Sequence, residues 1–359
     1  MGKIMDIVEL AKTVKKPLPG TAKGKMYKGF WTPRHITQLG FAALNVWLGF
    51  LFWGFVRALD VGGDGPLPPR PAGVEGWLPI SGLMGVINWI SEGTINRVHP
   101  ASAILLLSFI AIAFLARKAF CSWVCPIGTI SEGLAMLGRK LFGKTFLLPR
   151  GVDYSLMSLK YITLGLFLFA FFVMGTAGIA KFMTSPYNQL ADVKMLLFFT
   201  EIGTIGLIVI GVLFIGSVFV EGFWCRYMCP YGAMLGLVSW ASPLKIRRNI
   251  ETCIDCDRCT KACPSRLPVA TKPRIISPEC TGCLKCESAC PIKDCITLAP
   301  TPRTNVNGRQ LALTVIGIWL AFVLTAKITG AWNSSLSDAD YRYHYEQRDN
   351  PQYGHPGMD

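Results

Sequence analysis

Five stretches of the chain are apolar almost without interruption, with polar and turn-forming residues between them. They run roughly from Ile36 to Val56, Ala101 to Leu115 with its flanks, Leu159 to Gly178, Ile202 to Val220 and Leu311 to Ile328. About twenty apolar residues in a helix cross a bilayer core, so the pattern predicts an all-α membrane bundle of about five transmembrane helices. The second run is short, and Lys327 lies near the end of the fifth. Any one of these runs fits a buried helix of a water-soluble protein; five together do not.

After the first run, Pro66, Pro68, Pro69 and Pro71 predict an extended linker. The segment from Gly73 to Val98 then carries Trp77, Leu78, Ile80, Leu83, Met84, Val86, Ile87, Trp89 and Ile90 and reads as an interfacial helix. Trp favours the headgroup zone. Such a helix either packs against the bundle or roofs a lipid-accessible pocket. The tail, Asn333 to Asp359, is polar and holds Tyr341, Tyr343, Tyr345 and Tyr353. Its composition predicts irregular chain, with a partner-binding segment as the alternative. These patterns divide the chain into a basic N-terminal segment (1–35), a four-span membrane domain (36–246), a cluster domain (247–306), a fifth span (307–330) and a polar tail (331–359).

At 359 residues, 51% hydrophobic and net charge +14, with positive mean hydropathy, the chain is too apolar for an ordinary soluble protein. The excess of basic residues follows the spans rather than forming a nucleic-acid footprint. Lys3, Lys12, Lys15, Lys16, Lys23, Lys25, Lys28 and Arg34 precede the first span against Asp6 and Glu9. Arg117, Lys118, Arg139, Lys140, Lys144, Arg150 and Lys160 follow the second against Glu132 and Asp153. The positive-inside rule then makes the N-terminus, this loop and the cluster domain cytoplasmic, and puts residues 58–100, 177–201 and the tail 331–359 outside. The first thirty residues lack the apolar core of a cleavable signal, so the first span is expected to be its own signal anchor. The expected location is the inner (plasma) membrane, with lipid as a partner and nucleic acid excluded.

The chemistry lies between the fourth and fifth runs. CxxCxxCxxxCP occurs twice, as Cys253, Cys256, Cys259, Cys263-Pro264 and Cys280, Cys283, Cys286, Cys290-Pro291. Three thiolates at two-residue gaps wrap one iron-sulfur cubane, and the fourth reaches across to the other. The expected ligands are Cys253, Cys256, Cys259 and Cys290 for cluster 1, and Cys280, Cys283, Cys286 and Cys263 for cluster 2, in an α+β ferredoxin-like domain. A zinc site or a disulfide framework also uses CxxC spacing, but neither explains the regular doubling. A reducing compartment suits such thiols, which agrees with a cytoplasmic cluster domain. Cys295 falls outside the pattern and reads as a buried packing residue.

A second doubling lies in the membrane part. Cys121-Ser-Trp-Val-Cys125-Pro-Ile-Gly closes the second span and Cys225-Arg-Tyr-Met-Cys229-Pro-Tyr-Gly the fourth, so spans one and two look like a pseudo-repeat of three and four. A two-fold pseudo-repeat would bring Cys121, Cys125, Cys225 and Cys229 together. Cys residues four apart share a helix face, while the following Pro ends or restarts the helix. The quartet suits a third iron-sulfur centre, redox-active dithiols, or thiols docked on the cluster domain. Only His35, His99, His344 and His355 are present. His35 and His99 fall at opposite surfaces in this topology and cannot share a haem. They read as interfacial and turn residues, with an outward-facing quinol site as the alternative for His99.

With these motifs assembled, residues 35 to 300 or so resemble the membrane-bound polyferredoxins of the NapH and MauN types, related to the NosR and CcoG types. The N-terminal flavin-binding domain of the NosR type and the immunoglobulin-like domain of the CcoG type have no counterpart here, and the fifth span and acidic tail exceed the usual NapH plan. The resemblance implies electron transfer between the quinone pool or a cytoplasmic donor and an extracytoplasmic reductase in an anaerobic respiratory chain. It also implies redox partner subunits, such as a ferredoxin-like or cytochrome protein, and a quinone as a further cofactor. The alternatives are an electron-supplying assembly or reactivation factor for an extracytoplasmic metalloenzyme, and a redox sensor. The chain has no recognisable site for reducing a terminal substrate.

Overall fold

The computed structural model describes residues 32–354 apart from 64, 145 and 303. The basic segment before Thr32 and the last residues of the tail, including His355, therefore lie outside the described residues. Helix α1 (Pro33–Val61) starts with Thr32 capping the His35 amide and Pro33 in the first turn, where a missing N–H costs nothing. A 3₁₀ turn (Ala72–Trp77), α2 (Pro79–Glu92), α3 (Pro100–Leu115), α4 (Ala119–Trp123) and α5 (Pro126–Phe142) follow. Next come α6 (Arg150–Met183), α7 (Pro186–Gln189), α8 (Ala191–Thr200), α9 (Thr204–Phe219), a π-helical turn (Trp224–Met228) and α10 (Pro230–Trp240).

Among the described residues, α1, α6 and α13 (Gly308–Ile328) are long and apolar enough to cross a membrane. A fourth crossing is added if α8 and α9, bent by 79° at a short break, are one broken span. These helices turn large apolar side chains outward, such as Trp47 and Phe50 on α1, Phe172 on α6 and Ile205 on α9. Lipid is the solvent that accepts such a surface. Helix α3, the short second run, is the opposite case. It packs against α2, α13, α10 and the 3₁₀ turn, and its Ala101, Leu106, Ile112 and Ala113 are buried. A 16-residue helix is about 24 Å long, shorter than the roughly 30 Å core of a bilayer.

The segment read as one interfacial helix is split at Leu78, and α2 ends at Gly93 in the left-handed conformation that favours glycine. It packs on α3, where Gly82 allows close approach: a Cβ there would lie 2.8 Å from the Ser102 carbonyl oxygen. The cluster domain is a three-stranded antiparallel sheet, ordered β2 (Arg274–Ile275), β1 (Lys245–Arg248), β3 (Ile296–Ala299). Two one-turn helices, α11 (Arg258–Lys261) and α12 (Lys285–Ser288), accompany it. One hydrophobic core runs unbroken from Phe109, Ile112 and Trp123 of the membrane helices into Ile246, Val269 and Leu298 of this domain.

The tail corrects its sequence reading. It folds as α14 (Asp338–Glu346) behind a reciprocal Ser337–Asp340 capping box, followed by a 3₁₀ turn at Pro351–Tyr353. Average polarity hid the reason, which is spacing. Tyr341 and Tyr345, four residues apart, fall on one face and enter a core with Phe52, Phe55, Leu59 and Tyr353. Tyr345 donates to Asp60 at the end of α1 (2.8 Å), whereas Arg34 at its start pairs with Glu132 near the cluster domain. The tail and the cluster domain therefore sit at opposite ends of a helix about 43 Å long.

Candidate iron-sulfur centres and their junction

In the cluster domain the two ligand runs are bent by left-handed residues, Asp255 and Asp257 in the first and Gly282 and Leu284 in the second. This curls each run back on itself. Cys263, Cys280, Cys283 and Cys286 line one small cavity walled by Ile246, Val269, Ile275 and Leu284. That is the crossed set expected for cluster 2. Cys259 lies within electrostatic reach of Cys290 and Cys253, three of the set expected for cluster 1. Burial, reinforced by Cys283, pushes the Cys263 thiol up to about 12, and binding to a cationic metal group is what turns such a thiol into a thiolate.

All thirteen cysteines are free thiols, so no disulfide framework exists. Among the described residues no three His, Cys, Asp or Glu side chains close on a point as one metal ion requires. A zinc ion needs sulfurs about 2.3 Å away on all sides, whereas a cubane takes one thiolate at each separate iron. The two sets differ in exposure. Cys256 is exposed, and Cys253 accepts from Arg248 Nη1 (3.3 Å), which also pairs with exposed Asp255. Cys280 and Cys286 are buried. Cys295, also buried, lies beside Cys290 and Cys253 at the cluster 1 set, with Sγ 3.7 Å from the Asn249 carbonyl.

The two CxxxCP motifs share a local design. Cys125 and Cys229 are N-cap residues and Pro126 and Pro230 begin α5 and α10, so proline restarts each helix. Gly128 is required, since a Cβ there would lie 2.1 Å from the Cys121 carbonyl oxygen. Cys121 sits in α4 and Cys225 in the π turn. All four thiols line one cavity of about 1010 Å³, and Cys283 of the cluster domain lines it too. Apolar groups from α1, α3 and α13, including Leu44, Leu48, Phe109 and Trp319, form much of the remaining wall, and Lys118, Glu132, Glu221 and Lys285 the polar end.

Three ionic groups, two of them centred on a buried carboxylate and one half-buried, bolt the cluster domain to the bundle. Glu279, beside Cys280, takes Lys160 (2.5 Å), Lys118 (3.8 Å) and the Tyr161 hydroxyl (2.6 Å). Asp153 takes Arg226 (2.6 Å), Arg266 (3.5 Å) and the Tyr227 hydroxyl (2.6 Å). Lys285, between Cys283 and Cys286, bridges Glu221 (2.8 Å) and Glu132 (3.1 Å). Burial would raise the Glu132 and Glu279 carboxyls, but their cations more than offset it and hold both below the usual carboxylate range.

His35 bonds Thr32 and Arg34 at the start of α1. His99 is the buried N-cap of α3, with Nε2 donating to the Asn188 carbonyl (2.6 Å) and Glu75 3.5 Å from Nδ1. The two are near opposite ends of the bundle, and neither lines the cavity. Sequence reasoning passed over the residues inside the motifs, Ser122, Trp123 and Arg226. A charge at the end of an apolar run was the available signal for Arg226.

A 4Fe-4S binding domain model matches the chain twice, over residues 98–145 and 202–251, and a 4Fe-4S dicluster domain model matches residues 245–291. YccM of Escherichia coli (strain K12), whose name describes electron transport, is 43% identical over 347 residues, covering 94% of this chain and 97% of its own. The methylamine utilization ferredoxin-type protein MauN of Methylorubrum extorquens is 25% identical, over 70% of this chain and 78% of its own. The ferredoxin-type protein NapH of Haemophilus influenzae is 26% identical, over 51% and 62%. No solved structure matches. With 4Fe-4S domains set among apolar helices and these relatives in common, the chain belongs to the NapH/MauN-type membrane-bound polyferredoxins, iron-sulfur electron transport proteins.

Proposed function

We propose that the chain carries single electrons between the quinone pool or a cytoplasmic donor and an extracytoplasmic reductase of anaerobic respiration. Two 4Fe-4S clusters, on the crossed ligand sets above, supply one-electron redox chemistry when bound. The observation that carries this reading is the shared cavity: thiols of both CxxxCP motifs and Cys283 open onto the same space. Its volume of about 1010 Å³ is at the upper end of small-molecule sites, and its largely apolar wall suits a lipid-soluble quinone. Cys121, Cys125, Cys225 and Cys229 hold a third iron-sulfur centre in this scheme. The family model that matches once around each motif supports a two-fold repeat of the spans. In the topology that goes with it the protein is in the plasma membrane with five spans, its clusters cytoplasmic and its tail outside. Redox subunits of a complex supply and accept the electrons.

Anaerobic potentiometric titration of the lipid-embedded protein, read by electron paramagnetic resonance, tests the scheme. Cluster potentials span roughly −700 to +450 mV with environment, so midpoints near that of a quinone support quinol oxidation. Midpoints several hundred millivolts lower, on the order of the negative end of that range, support a cytoplasmic donor instead. A second reading, an assembly or reactivation factor, is favoured by the large cavity onto which the four CxxxCP cysteines open. Replacing Cys121 and Cys225 separates the two. Loss of a cluster signal supports the conduit; unchanged clusters with lost metal or disulfide handling support the factor.

A further inference from the structure

The residues between the cysteines of each CxxxCP motif point at the same half of the cluster domain. In the first motif Ser122 Oγ donates to the Thr281 carbonyl (2.7 Å) and Trp123 Nε1 to the Gly282 carbonyl (3.1 Å). Thr281 and Gly282 lie between Cys280 and Cys283. In the second motif Arg226 Nη1 donates to the carbonyl of Pro264 (3.4 Å), the residue after Cys263. Both chain segments that supply the cluster 2 set are thus held by a motif, one each, and by contacts that cross from membrane helices to the cluster domain.

These contacts are closely fitted. Trp123 is fully buried and is the largest side chain so enclosed among the described residues. Gly282 has φ +62, and a Cβ on it would touch the Ala116 carbonyl oxygen and Arg117 Cβ at 3.5 and 3.6 Å. Arg117, also fully buried, fixes the approach to this loop by donating to the Ser277 carbonyl (2.8 Å). Among the described residues the motif side chains Ser122, Trp123 and Arg226 make no such contact with the Cys253–Cys259 run: Cys259 is buried there, but Cys256 is exposed, and Arg248 beside Cys253 pairs with an Asp255 side chain that is 79% exposed.

From this asymmetry we infer that the two clusters work in a fixed order, with cluster 2 exchanging electrons through the Ser122–Trp123 contact with the third iron-sulfur centre proposed on the CxxxCP quartet, and cluster 1 serving as the solvent-facing terminal. The inference rests on the electron-carrier reading and adds to it which cluster faces the membrane and which side chains make the junction. Ser122 and Trp123 are positioning residues: they hold the Cys280–Cys283 loop against the first motif. Each transfer moves one electron, leaving the donor centre oxidised and the acceptor reduced by one, with no bond made or broken.

The test uses the full chain in lipid nanodiscs, anaerobically, with methyl viologen radical as the soluble reductant and duroquinone as the membrane-side acceptor. In freeze-quench paramagnetic resonance of the unmodified protein, viologen should reduce cluster 1 before cluster 2; the reverse order overturns the inference. The double variant Ser122→Ala, Trp123→Phe removes both donors and keeps an aromatic ring. It should shift the cluster 2 signal and slow its reoxidation by duroquinone several-fold, leaving the cluster 1 signal and iron content unchanged. Unchanged reoxidation, or a change confined to cluster 1, overturns it. If the double variant loses iron, Trp123→Phe alone is read in the same way. If duroquinone oxidises neither cluster, the quinone reading fails by itself, and the viologen order still decides this one.

Discussion

Both ends of the bundle are fastened by buried charge, but to different purposes. At the cluster end, Glu279, Asp153 and the Glu132–Lys285–Glu221 group each join a membrane helix or motif to chain within a few residues of a cluster cysteine. At the tail end, Arg70 pairs with Glu75 (2.8 Å) and Asp192 (2.6 Å) beside His99, and the Tyr341 ring covers the guanidinium at 5.6 Å. No cysteine belongs to that network. The same physical device therefore holds the cluster domain at one end and the tail at the other, and each can be broken separately.

The largest effect should follow Glu279→Ala, which leaves Lys118 and Lys160 buried without their partner. Breaking a buried pair costs about 3–5 kcal/mol, here beside Cys280, so iron content and the cluster 2 signal should fall together. Asp192→Asn strips one of the two carboxylates from Arg70 and should lower the thermal midpoint with a cost of up to about 3–5 kcal/mol. Iron per chain should remain unchanged, as iron analysis and a melt on the same sample would check. Loss of iron in this variant would remove the distinction between the two ends.

A smaller effect concerns pH. Burial pulls the His99 imidazole down, but Glu75 and Asp192 outweigh it and the opposing Arg70, so the net shift is upward. The folded state thus favours the imidazolium. Its contribution is fully present below the ordinary value of about 6.5 and is lost as pH rises through the higher folded-state value. Melts of the unmodified protein should show stability declining over that window, and His99→Gln should flatten the decline. The smallest effect should be that of Ser337→Ala, which removes the α14 cap for about 1 kcal/mol. Limited proteolysis should then cut the tail faster, with the clusters untouched.

The iron-sulfur motifs and the apolar runs were legible because each is a local pattern, a fixed spacing or a sustained composition. The tail helix was hidden for the converse reason: its two buried tyrosines matter by their separation, which average polarity erases. The junction was hidden because it is long-range. Nothing around Trp123 announces Gly282, and Lys160 and Asp153, which read as positive-inside charge and its counterweight, turn out to be buried partners of Glu279 and Arg226. The prolines after Cys125 and Cys229 were ambiguous between ending and restarting a helix, and in both motifs they restart it.

The most direct test of the central claim is an iron, zinc and sulfide count on anaerobically purified full-length protein, with stepwise reductive titration of the same sample by paramagnetic resonance. The account predicts about eight irons for the two clusters, about four more if the quartet holds a third centre, and separate one-electron signals that titrate reversibly. Stoichiometric zinc in place of iron, or irons that accept no electrons, would contradict it.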